Sequence, residues 1–94
     1  MMNKIKIGGV EYTIKEVPYI TDTTNLIGRV DHHTATIEVL NYLNPQIKLQ
    51  VILHEILHTI LHQADTHPED EEHIVDVIAS GLVGVIQNNN LKGE

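Results

Sequence analysis

The sequence predicts an α+β fold, with a small, mostly antiparallel sheet of three or four strands followed by two packed helices. Three observations carry this reading. Apolar and polar residues alternate with period two through most of the first half of the chain. A Gly8-Gly9 pair punctuates that alternation. At Asn44-Pro45 the apolar spacing changes to a helical period, which runs on to Gln87 with one break at Ala64 to His67.

The elements follow in order. Ile5 and Ile7 alternate with Lys4 and Lys6, and Val10, Tyr12 and Ile14 alternate with Glu11, Thr13 and Lys15. With the tight turn that Gly8-Gly9 supplies, this is a hairpin ending near Pro18. Tyr19 to Asn25 is rich in Thr, Asp and Asn and reads as a loop or short irregular helix. Leu26 to His32 and Thr34 to Leu40 are two further extended stretches, with a turn near His33-Thr34. Connections this short leave no room for crossover helices, so the pairing is expected to be largely antiparallel. Asn44 suits an N-cap and Pro45 the first helical position. Gln46 to Gln63 is then apolar over most of its circumference, as expected of a central helix packed on more than one side.

A second helix is expected from about Pro68 to Gln87. Thr66 and Glu69 have capping-box spacing, and Glu69 to Glu72 put negative charge where the helix dipole favours it. Gly81 and Gly84 each cost this helix about 1 kcal/mol relative to Ala. They suggest close approach by a neighbouring element. Asn88 to Glu94 reads as a tail.

Composition sets the bounds. The chain has 94 residues, enough for one domain with a modest core, and we take residues 1–94 as that domain. It is 41% hydrophobic yet has no Phe and no Trp, so the core must be aliphatic. Thirteen acidic against six basic residues give a charge of -7, with no Lys/Arg cluster to neutralise phosphates, which argues against a nucleic-acid partner. The absence of cysteine excludes a disulfide framework and thiolate-bound metal. No apolar run approaches a membrane span and no signal-peptide pattern opens the sequence, so a cytoplasmic protein without a membrane partner is expected.

Seven histidines stand out against this background, two of them in His54-Glu55-Ile56-Leu57-His58. On a helix, residues four apart lie one above the other, so both imidazoles can reach one tetrahedral zinc ion. Glu55 lies roughly 60–100° round the helix, close enough to take a proton from water on the metal without ligating it. Two histidines and a glutamate in an otherwise Leu/Ile-rich interior call for pairing or a metal.

A catalytic zinc needs a third protein ligand. Glu72 is favoured, with Asp76 one turn later placed to brace a histidine and small apolar residues along the same stripe. Glu71 is the rival, one residue of helix phase away. His62 extends the His54/His58 face, but three turns of straight helix span about 12 Å, too far for one ion. His67 sits beside Pro68 and serves equally as a turn residue.

His54-Glu55-x-x-His58 followed by Glu72-x-x-x-Asp76 resembles the gluzincin pattern of zinc metallopeptidases. The segment from Glu72 to Ala79 is similar to the second zinc-site helix of compact peptidases that cleave the immunity repressors of mobile elements. Small phage-encoded HExxH proteins show a similar opening, here Lys6-Ile7-Gly8-Gly9-Val10-Glu11-Tyr12, and a similar strand, Ile37 to Leu40. The likeness spans nearly the whole chain, although only the zinc motif is specific. It implies a minimal zincin-like fold, zinc on His54, His58 and Glu72, Glu55 as general base, and Asp76 orienting a zinc histidine. The metzincin pattern fails, because Leu61 and Ala64 stand where it needs glycine and histidine.

On this reading the activity is peptide-bond hydrolysis by metal-activated water, on a protein or peptide substrate for which a repressor is one candidate. The strand Ala35 to Leu40 is the expected cleft edge, to which an extended peptide adds as a further strand. His32, His33 and Tyr42 are candidates for oxyanion or substrate contacts. Tyr12 is expected in the core and Arg29 in an ion pair. Two alternatives stay open: a non-proteolytic zinc-binding accessory protein of a phage or mobile element, and a metal-free interaction module. Monomer and homodimer are both compatible with the sequence.

Overall fold

The computed structural model describes residues 3–20 and 26–89. Four strands, β1 (Lys4–Ile7), β2 (Val10–Val17), β3 (Gly28–Asp31) and β4 (Thr36–Leu40), precede two helices, α1 (Pro45–Gln63) and α2 (Glu71–Asn89). The α+β class follows directly. Residues 21–25 and 90–94, which hold most of the expected loop after Tyr19 and most of the expected tail, lie outside the described residues.

The sheet order is β1-β2-β4-β3. The β1–β2 hairpin turns at Gly8 and Gly9, whose φ values of 58° and 90° lie in the region that only glycine enters cheaply. Two pairings are antiparallel, but β2 and β4 run parallel, with Ile14 opposite Ile37. The sheet is thus mostly antiparallel, as the sequence predicts, with one parallel pair at its centre. The chain leaves β2, lays β3 along the far edge and brings β4 back into the gap. Among the described residues, the crossover from β2 to β4 is made by a strand, β3. The β3–β4 turn is closed by Asp31, whose Oδ1 accepts from the backbone N–H groups of His33 and Thr34 at 2.9 and 3.3 Å.

This order also corrects the expected cleft edge. Ala35 to Leu40 is flanked by β2 and β3 on its two sides, so no peptide can add to it; β3 is the edge strand on the helix side.

The core is aliphatic apart from Tyr12. Ile7, Tyr12, Ile14, Ile37 and Val39 share the face that α1 covers with Val51 and Ile52. Ile37 and Val39 are fully inaccessible, a burial worth about 1.5–3 kcal/mol for each side chain. Asn44 caps α1, its side chain accepting from the Ile47 N–H at 2.8 Å, with Pro45 in the first turn. At the other end, Gln63 donates from Nε2 to the Ile7 carbonyl at 2.7 Å and ties the helix to the hairpin.

The link between the helices is a Schellman turn. The Thr66 N–H reaches the Leu61 carbonyl at 3.0 Å and the Asp65 N–H reaches that of His62 at 3.1 Å, with Asp65 at φ 52°. Thr66 donates its hydroxyl to the Ala64 carbonyl, and residues 69–70 form a separate turn ahead of α2, so Thr66 is not its N-cap. Consequently α2 starts at Glu71, three residues later than the pattern at Pro68 suggested, and it extends to Asn89, into the stretch expected as tail. It packs Val75, Ala79 and Val83 on α1 and, among the described residues, meets no strand. A Cβ at Gly81 or Gly84 would meet nothing among the described residues, so these glycines serve no close approach there. No described helix is long and apolar enough to cross a membrane.

Candidate metal centre

Regular α1 geometry puts His54 and His58 on the side facing α2, with their Nε2 atoms 3.1 Å apart. The turn at 64–70 folds α2 back so that the Glu72 carboxylate closes the third corner. Its oxygens lie 3.2 Å from His54 Nε2 and 3.0 Å from His58 Nε2. Ligand atoms about 3.3 Å apart are what a tetrahedral zinc with bonds near 2.0–2.1 Å requires. His54, His58 and Glu72 are the one group of this kind among the described residues, their donor atoms all within 4.8 Å of one another.

The outer nitrogens show why both rings face inward. His54 Nδ1 lies 2.8 Å from Asp76 Oδ1, and His58 Nδ1 lies 2.6 Å from Glu71 Oε2. A carboxylate at Nδ1 holds the proton there and leaves the Nε2 lone pair for the opposite side. Two lone pairs and a carboxylate then confront one another, an arrangement that a cation relieves. The donor set fits zinc. Glu71, the rival third ligand in the sequence, sits behind His58 on the side away from this point. The two histidine side chains are mostly buried, whereas Glu72 is 77% exposed, so the centre opens toward solvent through its acidic side.

Glu55 lies on the sheet side of the same cleft and is 9% exposed. Burial pushes its carboxyl above the ordinary range; His54 and His58 oppose that shift and Glu72 adds to it. Its neighbour across the interface is Gly28 on β3. A Cβ there would stand 2.3 Å from Val51 Cγ1 and 3.7 Å from Glu55 Oε2. The bare backbone of Gly28 is therefore what lets the edge strand lie against the motif helix. One glycine in an extended stretch, away from any turn, was the available signal for this contact.

A cleft of about 560 Å³ opens beside the centre. Residues 26–30 form one wall, Ile47, Gln50 and Val51 the other, and His54, Glu55, His58, Glu72 and Asp76 the floor. None of His32, His33 and Tyr42 lines it. His32 lies at the β3–β4 turn, its Nδ1 3.0 Å from the Tyr12 hydroxyl, and Tyr42 is 72% exposed. Tyr12 is in the core with its hydroxyl at the edge, and Arg29 donates from Nε to Glu38 Oε1 at 2.8 Å. His62 stacks on His32, and His67 is exposed beside Asp65.

Comparison with protein-family models, with curated proteins and with solved structures finds no match for the chain.

Proposed function

We propose that this chain is a zinc-dependent peptidase of gluzincin type, which hydrolyses a peptide bond with Glu55 as general base. The observation that carries the reading is the convergence of two Nε2 atoms and a carboxylate on one point, each imidazole backed by its own acid. His54, His58 and Glu72 would hold the ion. Asp76 and Glu71 fix the tautomer and plane of the two rings. Zinc, when bound, supplies the Lewis acidity that activates water and polarises a carbonyl.

The side chains do the rest. Glu55, desolvated and next to the centre, takes a proton from the attacking water and delivers it to the leaving amine; its raised affinity for protons suits it to both transfers. An extended substrate would add to the outer side of β3, the edge strand among the described residues, and so have its scissile carbonyl oriented with little demand on sequence. The setting proposed is cytoplasmic, with a protein or peptide substrate and a repressor among the candidates.

One observation favours a second reading, a zinc-binding protein without turnover. Among the described residues, no tyrosine and no histidine beyond His54 and His58 lines the cleft to stabilise an oxyanion. A single set of measurements separates the two. Protein purified without a tag or added metal should carry about one zinc per chain, which His54→Ala and Glu72→Ala lose. Glu55→Gln should retain zinc while abolishing cleavage of an unstructured peptide library. No zinc uptake by the unaltered protein, even on titration, would overturn both readings. Zinc uptake without cleavage would leave only the second.

A further inference from the structure

The His32–His62 pair belongs to no part of the metal centre. The two rings stack at 3.8 Å between centroids and 3° between planes. His62 comes from the last turns of α1, and His32 from the turn that joins β3 to β4. The lone pairs of stacked rings lie in two parallel planes, so the pair is not built to converge on one ion. What it does is bridge two elements. Beside the stack lies a second cavity whose wall includes Arg29 and Val30, and the same two residues line the cleft at the metal centre. The stack thus holds one end of the strand whose other end walls the cleft.

We propose that the His32–His62 stack is an acid-sensitive clamp that keeps β3 and its turn closed on α1 and releases them when both rings become protonated. One charge in a stacked imidazole pair is tolerated, because a cationic ring can lie over a neutral one. Two charges 3.8 Å apart repel. His62 is exposed and His32 partly buried, and the groups around His32 do little to offset a second charge. Tyr12 from β2 offers a hydroxyl to His32 Nδ1, and Arg29 on β3 and His33 at the turn add positive or titratable groups. His58 faces the pair from α1 with the same sign when protonated. Of the groups acting on His32, Asp31 alone favours the charged form, and its Oδ1 is already engaged by two backbone N–H groups of the turn. His32 accordingly lies below the ordinary histidine range, through burial first and His62 next. The inference concerns the wall of the cleft and stands whether or not the cleft takes a peptide.

The test is amide hydrogen exchange of metal-free protein between pH 7.5 and 5, corrected for intrinsic rates, in the unaltered chain and in His62→Phe. Phenylalanine keeps a flat ring on His32 but cannot charge. The amides of residues 28–36 should lose protection in the unaltered chain, by about tenfold per pH unit for one linked proton, while those of mid-α1 hold. In His62→Phe the same amides should stay protected. His54 and His58 are present in both proteins, so the difference isolates the stack. If His62→Phe does not fold, His62→Asn replaces it, with the same expectation of a flat pH response. Unchanged protection in the unaltered chain, an equal response in the variant, or loss that spreads evenly through α1 would each overturn the clamp.

Discussion

Gly28→Ala is the substitution that most directly tests how the cleft is built. The added methyl would lie 2.3 Å from Val51 Cγ1 and 3.3 Å from the Glu38 carbonyl oxygen. Carbon atoms in comfortable contact sit about 3.5–4.0 Å apart, so more than an ångström must be recovered. Little can yield. Val51 is β-branched and 7% exposed, and Glu38 contributes backbone in the middle of the sheet. Overpacking of this kind costs about 1–3 kcal/mol, whereas replacing glycine stiffens the unfolded chain and returns about 0.4–1 kcal/mol. The net expectation is a loss of about 1–2 kcal/mol, or a fall in Tm of roughly 4–16 °C for a domain of this size. Thermal unfolding of metal-free protein reads it. Val51→Ala alone should cost about 2 kcal/mol in lost burial. Combined with Gly28→Ala it should cost clearly less than the two losses added, because the truncation opens the space that the methyl needs. Additive losses, or a Gly28→Ala protein as stable as the parent, would refute the close approach of β3 to α1 and with it this account of the wall.

Other outcomes follow from the same geometry. Glu55 is held above the ordinary carboxyl range, so the folded chain binds its proton at higher pH than the unfolded chain does. The ionised side chain therefore destabilises the metal-free fold at neutral pH, and that burden fades as pH falls through the raised value toward the unfolded 4.5. Glu55→Gln should raise Tm at pH 7.5 and lose the advantage by pH 4; an equal gain at both would refute the assignment. Asp76→Ala and Glu71→Ala should each weaken zinc binding about 10–100-fold in a competition titration with a chelating dye, while Glu69→Ala, at the exposed turn before α2, leaves it unchanged. Asp65 sits at φ 52° in the turn after α1, so Asp65→Gly should raise stability by roughly 0.5–1 kcal/mol in denaturant unfolding, the left-handed strain outweighing an ion pair with His67 that is exposed and 3.4 Å long.

What could be read without coordinates was local. The Gly8-Gly9 hairpin needs only the turn geometry that two glycines permit, and the Asn44 cap and Pro45 start need only the open valences of a helix end. The i, i+4 spacing of His54 and His58 sets two imidazoles on one face of any regular helix, and the helical phase of Glu72 and Asp76 places two acids on one stripe. The start of α2 was misread for a reason just as local. The capping-box spacing puts Thr66 at the N-cap, but the chain makes a separate turn at residues 69–70 before α2 begins.

The tertiary structure decided whatever depends on which elements become neighbours. The parallel pairing of β2 with β4 arises because β3 takes the outer edge, a choice that no alternation pattern encodes, since period two is the same for either direction. That choice makes β3, and not the strand beside it, the wall of the cleft, and gives Gly28 its task. Glu71 and Glu72 differ by a single step along the chain. Only the crossing of α2 over α1 sets one carboxylate at His58 Nδ1 and the other between the two Nε2 atoms. His32 and His62 stand far apart in the sequence as ordinary polar residues, and the docking of a turn on a helix end brings them face to face. Sequence periodicity determines the face on which a side chain lies, while the packing of elements determines what that face meets.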